Sequence, residues 1–283
     1  MRRYWLITNL DTHLPEFISQ VFTDKNFRVY AKQDDVTSYT LQGMDIIILV
    51  DGYVIPVESV FQEYKSIYQE ELIFRLFEKY GPEFIHFVKG NYSILIAAKD
   101  RFLVFNDHLG IRKIFYTSKE GLLILTNNFN YAASLLKITP SPEHIAIHSL
   151  VHHFVAGITF SKEFYYSGQA TVFEFTSSSG LKKRNYWDVN NLIHSQTDKI
   201  SIGDLKDFFN GIILGYIQYF KSRNVCLTLT GGMDSRLILA VLLDHNIKPE
   251  TYAYGNPGSG DVIIARNISE KFGLNFLNHF KED

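Results

Sequence analysis

Residues 226–239 read CLTLTGGMDSRLIL. An apolar run leads into two glycines, an acid and a serine, and a second apolar run follows at helical spacing. The pattern predicts a strand over Val225–Thr230, a tight turn, and a helix from about Arg236 to Asp244. Gly231 and Gly232 let the backbone approach a phosphate closely, Ser235 adds a hydroxyl, and the start of the helix offers N–H groups with no intrahelical partner. Asp234 is placed to hold a Mg²⁺ ion. The same residues also suit a plain strand-to-helix turn with a cap, and taken alone they leave both readings open.

Downstream, a strand at Thr251–Tyr254 and a helix at about Asp261–Phe272 give the order βαβα, which predicts parallel strands with a ligand site at their carboxyl ends. Upstream, Ile202–Lys221 carries apolar residues at helical spacing, and the polar stretch Asp188–Lys199 reads as a linker. Before Trp187 the texture differs: short runs rich in Ile, Val, Phe and Tyr predict strands at Tyr4–Thr8, Ile46–Asp51, Gly90–Ala97, Phe102–Asn106, Ile114–Thr117, Leu122–Thr126 and Thr171–Phe175. Leu72, Ile73, Leu76, Phe77 and Tyr80 predict an amphipathic helix over Ser66–Tyr80, stopped by Gly81-Pro82. A second helix starts near Pro142, and Ser177–Gly180 suits a hairpin tip. The expected organisation is two domains, 1–187 and 202–283, joined by 188–201.

The 283 residues suffice for two domains. With 28 Lys and Arg against 30 Asp and Glu and no basic block, a phosphate-neutralising nucleic-acid surface is not expected. The single cysteine, Cys226, excludes an internal disulfide or a Cys-based zinc site and points to a cytoplasmic setting. Apolar runs such as Ile46–Val50 fall far short of the roughly 20 residues that cross a bilayer. The N-terminal MRRYWLITNLDTHLPEF has no signal-peptide core and reads as a first strand.

Other residues invite chemistry and read more simply. Asp107-His108 sits in a turn, not in a mutually bonded pair. His144, His148 and His152 recur at i, i+4 and i+8, but with no carboxylate at helical spacing they read as a solvated helix face before a metal site. Lys182-Lys183-Arg184 reads as a solvated hairpin tip, and the 15% aromatic content as sheet core.

Thr230-Gly231-Gly232-Met233-Asp234-Ser235 resembles the SGGxDS loop of the ATP-pyrophosphatase superfamily, with Thr for the first Ser. TYAYGNPGSGD at Thr251–Asp261, followed by Ala265, Ile268 and Phe272-Gly273-Leu274, is similar to the second strand and helix of asparagine synthetase B. YGPEFIHFVKGNYSILIAAKD at Tyr80–Asp100, DHLGIRKIFY at Asp107–Tyr116 and the tract Gly157–Trp187 resemble that family's glutaminase domain, in the family's order. The resemblance implies a two-domain α/β and α+β chain: an Ntn-like αββα sandwich, then part of a parallel-sheet domain like the adenine nucleotide α-hydrolases.

The family's glutaminase nucleophile is a cysteine directly after the initiator methionine, and Arg2 stands there. Asp51-Gly52-Tyr53 replaces the family's Asn-Gly-Glu turn, and Tyr68-Gln69-Glu70-Glu71 its Ser-Asp-x-Glu helix start. The resemblance therefore implies a domain that hydrolyses no glutamine. In the second domain it implies a carbon–nitrogen ligase that adenylates a carboxylate with ATP, with Thr230–Ser235 on the pyrophosphate, Asp234 on Mg²⁺ and the Tyr254 backbone on adenine. The acceptor carboxylate and the amine are not specified. The family's second acidic loop and catalytic lysine have no counterpart up to Asp283, so the expectation is a longer chain, a homodimer or partner chain completing the site, or a non-catalytic nucleotide-binding protein.

Overall fold

The computed structural model describes residues 2–12, 19–67, 69–117, 119–190, 201–220 and 224–280. The chain divides into two compact units, 1–195 and 196–283. Among the described residues no helix is long and apolar enough to cross a membrane.

The first unit holds twelve strands among its described residues: β1 (Trp5–Thr8), β2 (Ser19–Thr23), β3 (Arg28–Ala31), β4 (Thr37–Leu41), β5 (Met44–Pro56), β6 (Val88–Ala98), β7 (Arg101–Asn106), β8 (Phe115–Thr117), β9 (Ile124–Thr126), β10 (Phe164–Tyr166), β11 (Thr171–Thr176) and β12 (Gly180–Asn185). They form two antiparallel sheets, β10-β8-β9-β1-β3-β2 and β12-β11-β7-β6-β5-β4. Helices α1 (Glu58–Tyr64) and α2 (Gln69–Tyr80) follow β5, and α3 (Phe129–Leu135) and α4 (Pro142–Val151) follow β9.

Alternation along the strands builds the layers, since successive side chains point to opposite faces. Ile47 and Leu49 of β5, Leu95 and Ala97 of β6, and Phe102 and Val104 of β7 join Trp5, Ile7 and Val29 in a core between the sheets. Their neighbours Ile46, Ile48, Ile94, Ile96, Leu103 and Phe105 turn outward onto Leu72, Ile73, Leu76 and Phe77 of α2. Across the other sheet, Leu6 and Ile124 pack with Ala132 of α3. The result is a helix–sheet–sheet–helix sandwich, the layer order expected for this unit. Because both faces of β5 are covered, the run Ile46–Val50 is continuously apolar where a half-exposed strand would alternate. Trp5 Nε1–H donates to Ser93 Oγ at 3.2 Å and so joins the sheets through a buried polar contact.

The second unit contains α5 (Ile202–Tyr219), β13 (Cys226–Thr228), α6 (Met233–Asp244), β14 (Glu250–Tyr254), α7 (Gly260–Lys271) and β15 (Phe276–His279). Its strands are parallel in the order β13-β14-β15. Leu227, Leu229, Leu239, Leu242, Ala253, Val262 and Ala265 form its core, with Ile213 and Ile217 of α5 against it. Ser201 and Asp204 start α5 with a reciprocal capping box. Outside that core, α5, α6 and Phe272 enclose an apolar groove of about 880 Å³, where Ile202, Phe208 and Leu237 are exposed.

Several sequence expectations need correction. The helix expected over Ser66–Tyr80 starts at Gln69, because Ile67 N–H bonds Tyr64 O and spends Ser66 on the exit from α1, itself unforeseen. Tyr68 lies outside the described residues. Helix α6 starts at Met233 and not at Arg236, since Gly232 is already its cap. Strand β13 stops at Thr228, short of Thr230. Lys182, Lys183 and Arg184 are not a hairpin tip: they lie within β12, paired with β11, and the tip is the serine turn before it. The linker expected over Asp188–Lys199 falls largely outside the described residues.

A close approach fixes the β5–β6 ladder. Gly52 has φ +103°, and a Cβ there would stand 2.0 Å from Asn91 O; one on Gly90, at φ +141°, would stand 2.3 Å from Tyr53 O. Gly43, in the two-residue turn between β4 and β5, has φ +79° and open space. Gly52→Ala is expected to cost about 3 kcal/mol or more, from backbone strain plus a collision with main chain, and Gly43→Ala about 1 kcal/mol. Urea midpoints compared at constant slope will read the difference.

Candidate functional site

Two places hold the candidate residues. In the second unit, the backbone leaves β13 through buried Leu229, whose N–H bonds Tyr252 O, and passes Thr230, Gly231 and Gly232 into α6. The turn is held by its own side chains. Ser235 Oγ accepts the Thr230 N–H at 3.1 Å, and Thr230 Oγ1 accepts the Gly232 N–H at 3.1 Å. Asp261, at the start of α7, accepts the Gly231 N–H at 2.9 Å. Arg236 Nε–H returns to Gly232 O at 3.0 Å. A Cβ on Gly231 would meet Asp261 Oδ1 at 2.9 Å and Ile264 Cδ1 at 3.0 Å, so the glycine is what lets α7 approach the turn.

Gly232 caps α6 with no side-chain hydrogen bond, which leaves first-turn N–H groups facing outward. Met233 and Asp234 are exposed beside them, and Ser235 is half-buried. Tyr254 ends β14, the neighbouring parallel strand, so the structure puts it on the carboxyl edge that also carries the turn. Its ring is exposed and stacks on His279 of β15 with centroids 5.3 Å apart. Asp261 and His279 were not singled out from the sequence. Asp261 lay inside the quoted GNPGSGD run, but its bond to Gly231 spans thirty residues and has no local signature.

In the first unit, Asp51 and Glu70, which lie in the stretches that the resemblance matches to a glutamine pocket, belong to a polar network. Asp51 is 3% exposed. It accepts the Arg3 N–H at 3.0 Å, an Asn127 Nδ2 hydrogen at 3.2 Å and an Arg112 guanidinium hydrogen at 3.3 Å. Arg112 also donates to Asn91 Oδ1 at 2.7 Å, and the Arg3 guanidinium pairs with Glu70 and, at 3.6 Å, with Asp35. A buried carboxylate is tolerable when charge and hydrogen bonds are both supplied, as they are here. Arg2 is exposed, and an always-protonated guanidinium is no nucleophile.

The remaining candidates resolve structurally. The Asp107 carboxylate, 1% exposed, accepts N–H bonds from Leu109, Ile111 and Arg112 and so shapes its own loop. His108 is held below its ordinary pKa by burial, with His86 adding to the effect, and it packs edge-on against Tyr186 and Trp187. The histidine row is a solvated face only in part, since His144 and His148 are half-buried and His152 is exposed. His144 bonds Thr159 O at 2.9 Å, His148 packs on Phe154 and Phe160, and His152 leaves the helix at φ +57°. Among the described residues no cluster of three or more metal-ligating side chains occurs.

The network generates a prediction. Purified protein is expected to release no ammonia from glutamine above a heat-killed control, and Arg2→Cys is expected to remain inactive, because a thiol at position 2 does not reopen the space held by Asp51, Arg112, Arg3 and Glu70. Ammonia release by either form overturns the assignment.

No family model matches this sequence, and no curated protein matches it. Among solved structures, the chain is similar to an allosteric regulatory enzyme of purine biosynthesis at 10% identity and a TM-score of 0.40, over 99% of this chain and 74% of that one. It is also similar to a glutamine phosphoribosylpyrophosphate amidotransferase from B. subtilis at 10% identity and a TM-score of 0.37, over 98% of this chain and 59% of that one.

Proposed function

We propose that this chain belongs to an ATP-dependent, AMP-forming amide ligase of asparagine-synthetase type, whose first unit is an Ntn-like glutaminase fold without its nucleophile. The observation that carries the reading is the turn Thr230–Ser235: it joins a parallel strand, at the carboxyl edge of the sheet that also carries Tyr254, to a helix whose cap, Gly232, brings no side-chain hydrogen bond. Backbone N–H groups at a helix start favour a leaving pyrophosphate by fixed partial charge, with no reorganisation required during the reaction. The exposed ring of Tyr254 beside His279 suits a flat base, with the strand end supplying backbone polar groups.

The donor set fits Mg²⁺, which takes one or two carboxylates together with phosphate oxygens. Asp234 on the first turn of α6 and Asp261 against Gly231 would hold it, and the ion would neutralise charge on the departing pyrophosphate. Gly231 donates its N–H to an anion only after Asp261 turns from it. A carboxylate adenylated here would be attacked by an amine not drawn from glutamine. The second acidic loop and catalytic lysine that the resemblance calls for have no counterpart in residues 202–283 and would come from a partner chain, a second copy or further residues of this one.

A second reading, a nucleotide-binding protein without turnover, is favoured by one specific observation: in this structure side chains already satisfy the N–H groups of Thr230 and Gly232 from within the turn, through Ser235 and Thr230, and that of Gly231 from α7, through Asp261. Calorimetric titration with Mg·ATP is expected to show binding that Asp234→Ala weakens about tenfold or more, with the fold intact because the side chain is exposed. Absence of binding overturns both readings. Carboxylate-dependent ATP–pyrophosphate exchange, lost in Asp234→Ala, selects the ligase; binding with no exchange across a panel of carboxylates and amines selects the second reading.

A further inference from the structure

The first unit carries a pair of adjoining cavities remote in sequence from the turn at Thr230. The larger, about 510 Å³, is floored by backbone at Gly110, Gly157 and Gly168 and flanked by Lys113 and Lys183. The smaller, about 280 Å³, is lined by Phe115, Phe129, Phe154 and Phe160. Lys113 and Tyr166 line both cavities and are the wall between them. Together they fall in the size range of small-molecule sites, with an apolar part and a few convergent polar groups.

The charge is one-sided. Neither cavity has an acidic residue in its lining, and among the described residues neither Lys113 nor Lys183 makes an ion pair. Each ammonium lies over an aromatic ring instead: Lys113 Nζ is 4.8 Å from the Tyr166 centroid, and Lys183 Nζ is 4.8 Å from the Tyr116 centroid and 3.0 Å from its hydroxyl. Ring faces hold the two cations in place without neutralising them. The walls are built to last: Tyr166 Oη–H donates to Phe154 O at 2.6 Å, and Gly157 and Gly110 have φ +79° and +66° and would bring a Cβ to 2.8 and 2.9 Å from the carbonyl oxygens of Tyr166 and Gly168. At Gly110 and Gly157 the lining is therefore backbone by steric necessity.

The geometry points to a site for a small organic anion with a flat apolar group, most simply a phosphate monoester: the headgroup between Lys113 and Lys183, the apolar part in the aromatic slot. Two ammonium groups match a dianion, and the slot has room for one ring. The proposal stands apart from the nucleotide reading of the second unit and does not depend on it.

Phenyl phosphate is the probe, titrated calorimetrically into the whole protein. One-to-one binding is expected, at least about tenfold tighter than for inorganic phosphate or benzyl alcohol, and weakened at least tenfold in Lys113→Met/Lys183→Met. Methionine keeps the apolar stem over each tyrosine ring, and an unchanged melting temperature will confirm the fold. Phe160→Ala is expected to weaken phenyl phosphate and leave inorganic phosphate unaffected. In the wild-type protein, phenyl phosphate is expected to slow reductive methylation of Lys113 and Lys183 relative to Lys119, read by mass spectrometry. No binding, binding that survives the double substitution, binding lost only in Asp234→Ala, or equal labelling rates with and without phenyl phosphate would each overturn the proposal.

Discussion

The antiparallel ladder between β5 and β6 is the constraint on which the first unit depends. It runs unbroken from Ile46 opposite Ala98 to Pro56 opposite Val88. A one-residue slip would exchange Ile47, Leu49, Leu95 and Ala97 with their outward neighbours, so both cores would fail together. The Gly52 and Gly90 positions pin the register further, because each admits the opposing backbone only where no Cβ exists. The same ladder holds the buried Asp51 at its middle, opposite Ser93, where Arg3, Arg112 and Asn127 reach it from three separate segments. A buried acid with that many donors is a clamp as well as a plug: it ties the chain entry before β1 to the loop after β7 and to the residue after β9.

The second unit solves a smaller problem with fewer parts. Three short parallel strands bury little surface by themselves, and the helices that cross between them supply most of the core through Leu239, Leu242, Val262 and Ala265. Gly231 is where those demands meet, since α7 packs closely enough to put Asp261 on the turn only because that residue has no side chain. A turn so tightly self-bonded is preorganised, and preorganisation lowers the entropic cost of receiving a ligand in its place. The carboxylate at Asp261 opposes this for any anion that arrives without a cation.

The sequence made some of this legible. Leu72, Ile73, Leu76 and Phe77 recur at the helical period and are all buried in α2; the apolar runs of β5, β6 and β7 are long because both faces are covered. The strands β2 and β4 were silent because SQVFT and TSYTL leave much of their surface to solvent, and ESVFQEY buries only Val60 and Tyr64. Lys182 to Arg184 looked like a tip because an exposed edge strand needs no apolar alternation. At the candidate sites, glycine, acid and serine next to one another announced the turn at Thr230, whereas the bond that completes it, from the Gly231 N–H to Asp261, and, in the first unit, the bond from Arg112 to Asp51 each join residues far apart in the chain. Chemistry written in consecutive residues can be read directly; chemistry assembled by topology waits for the fold.

The apolar groove between α5, α6 and Phe272 bears on how this protein will lose its structure. Its exposed Ile202, Phe208 and Leu237 need no unfolding to meet another molecule, and partial opening of the small core behind them would enlarge the same surface. Loss of the second unit on heating should therefore feed association faster than refolding can reverse it. Its durability is then a matter of rate, with an apparent melting point that shifts with heating speed and protein concentration, and not of equilibrium free energy alone.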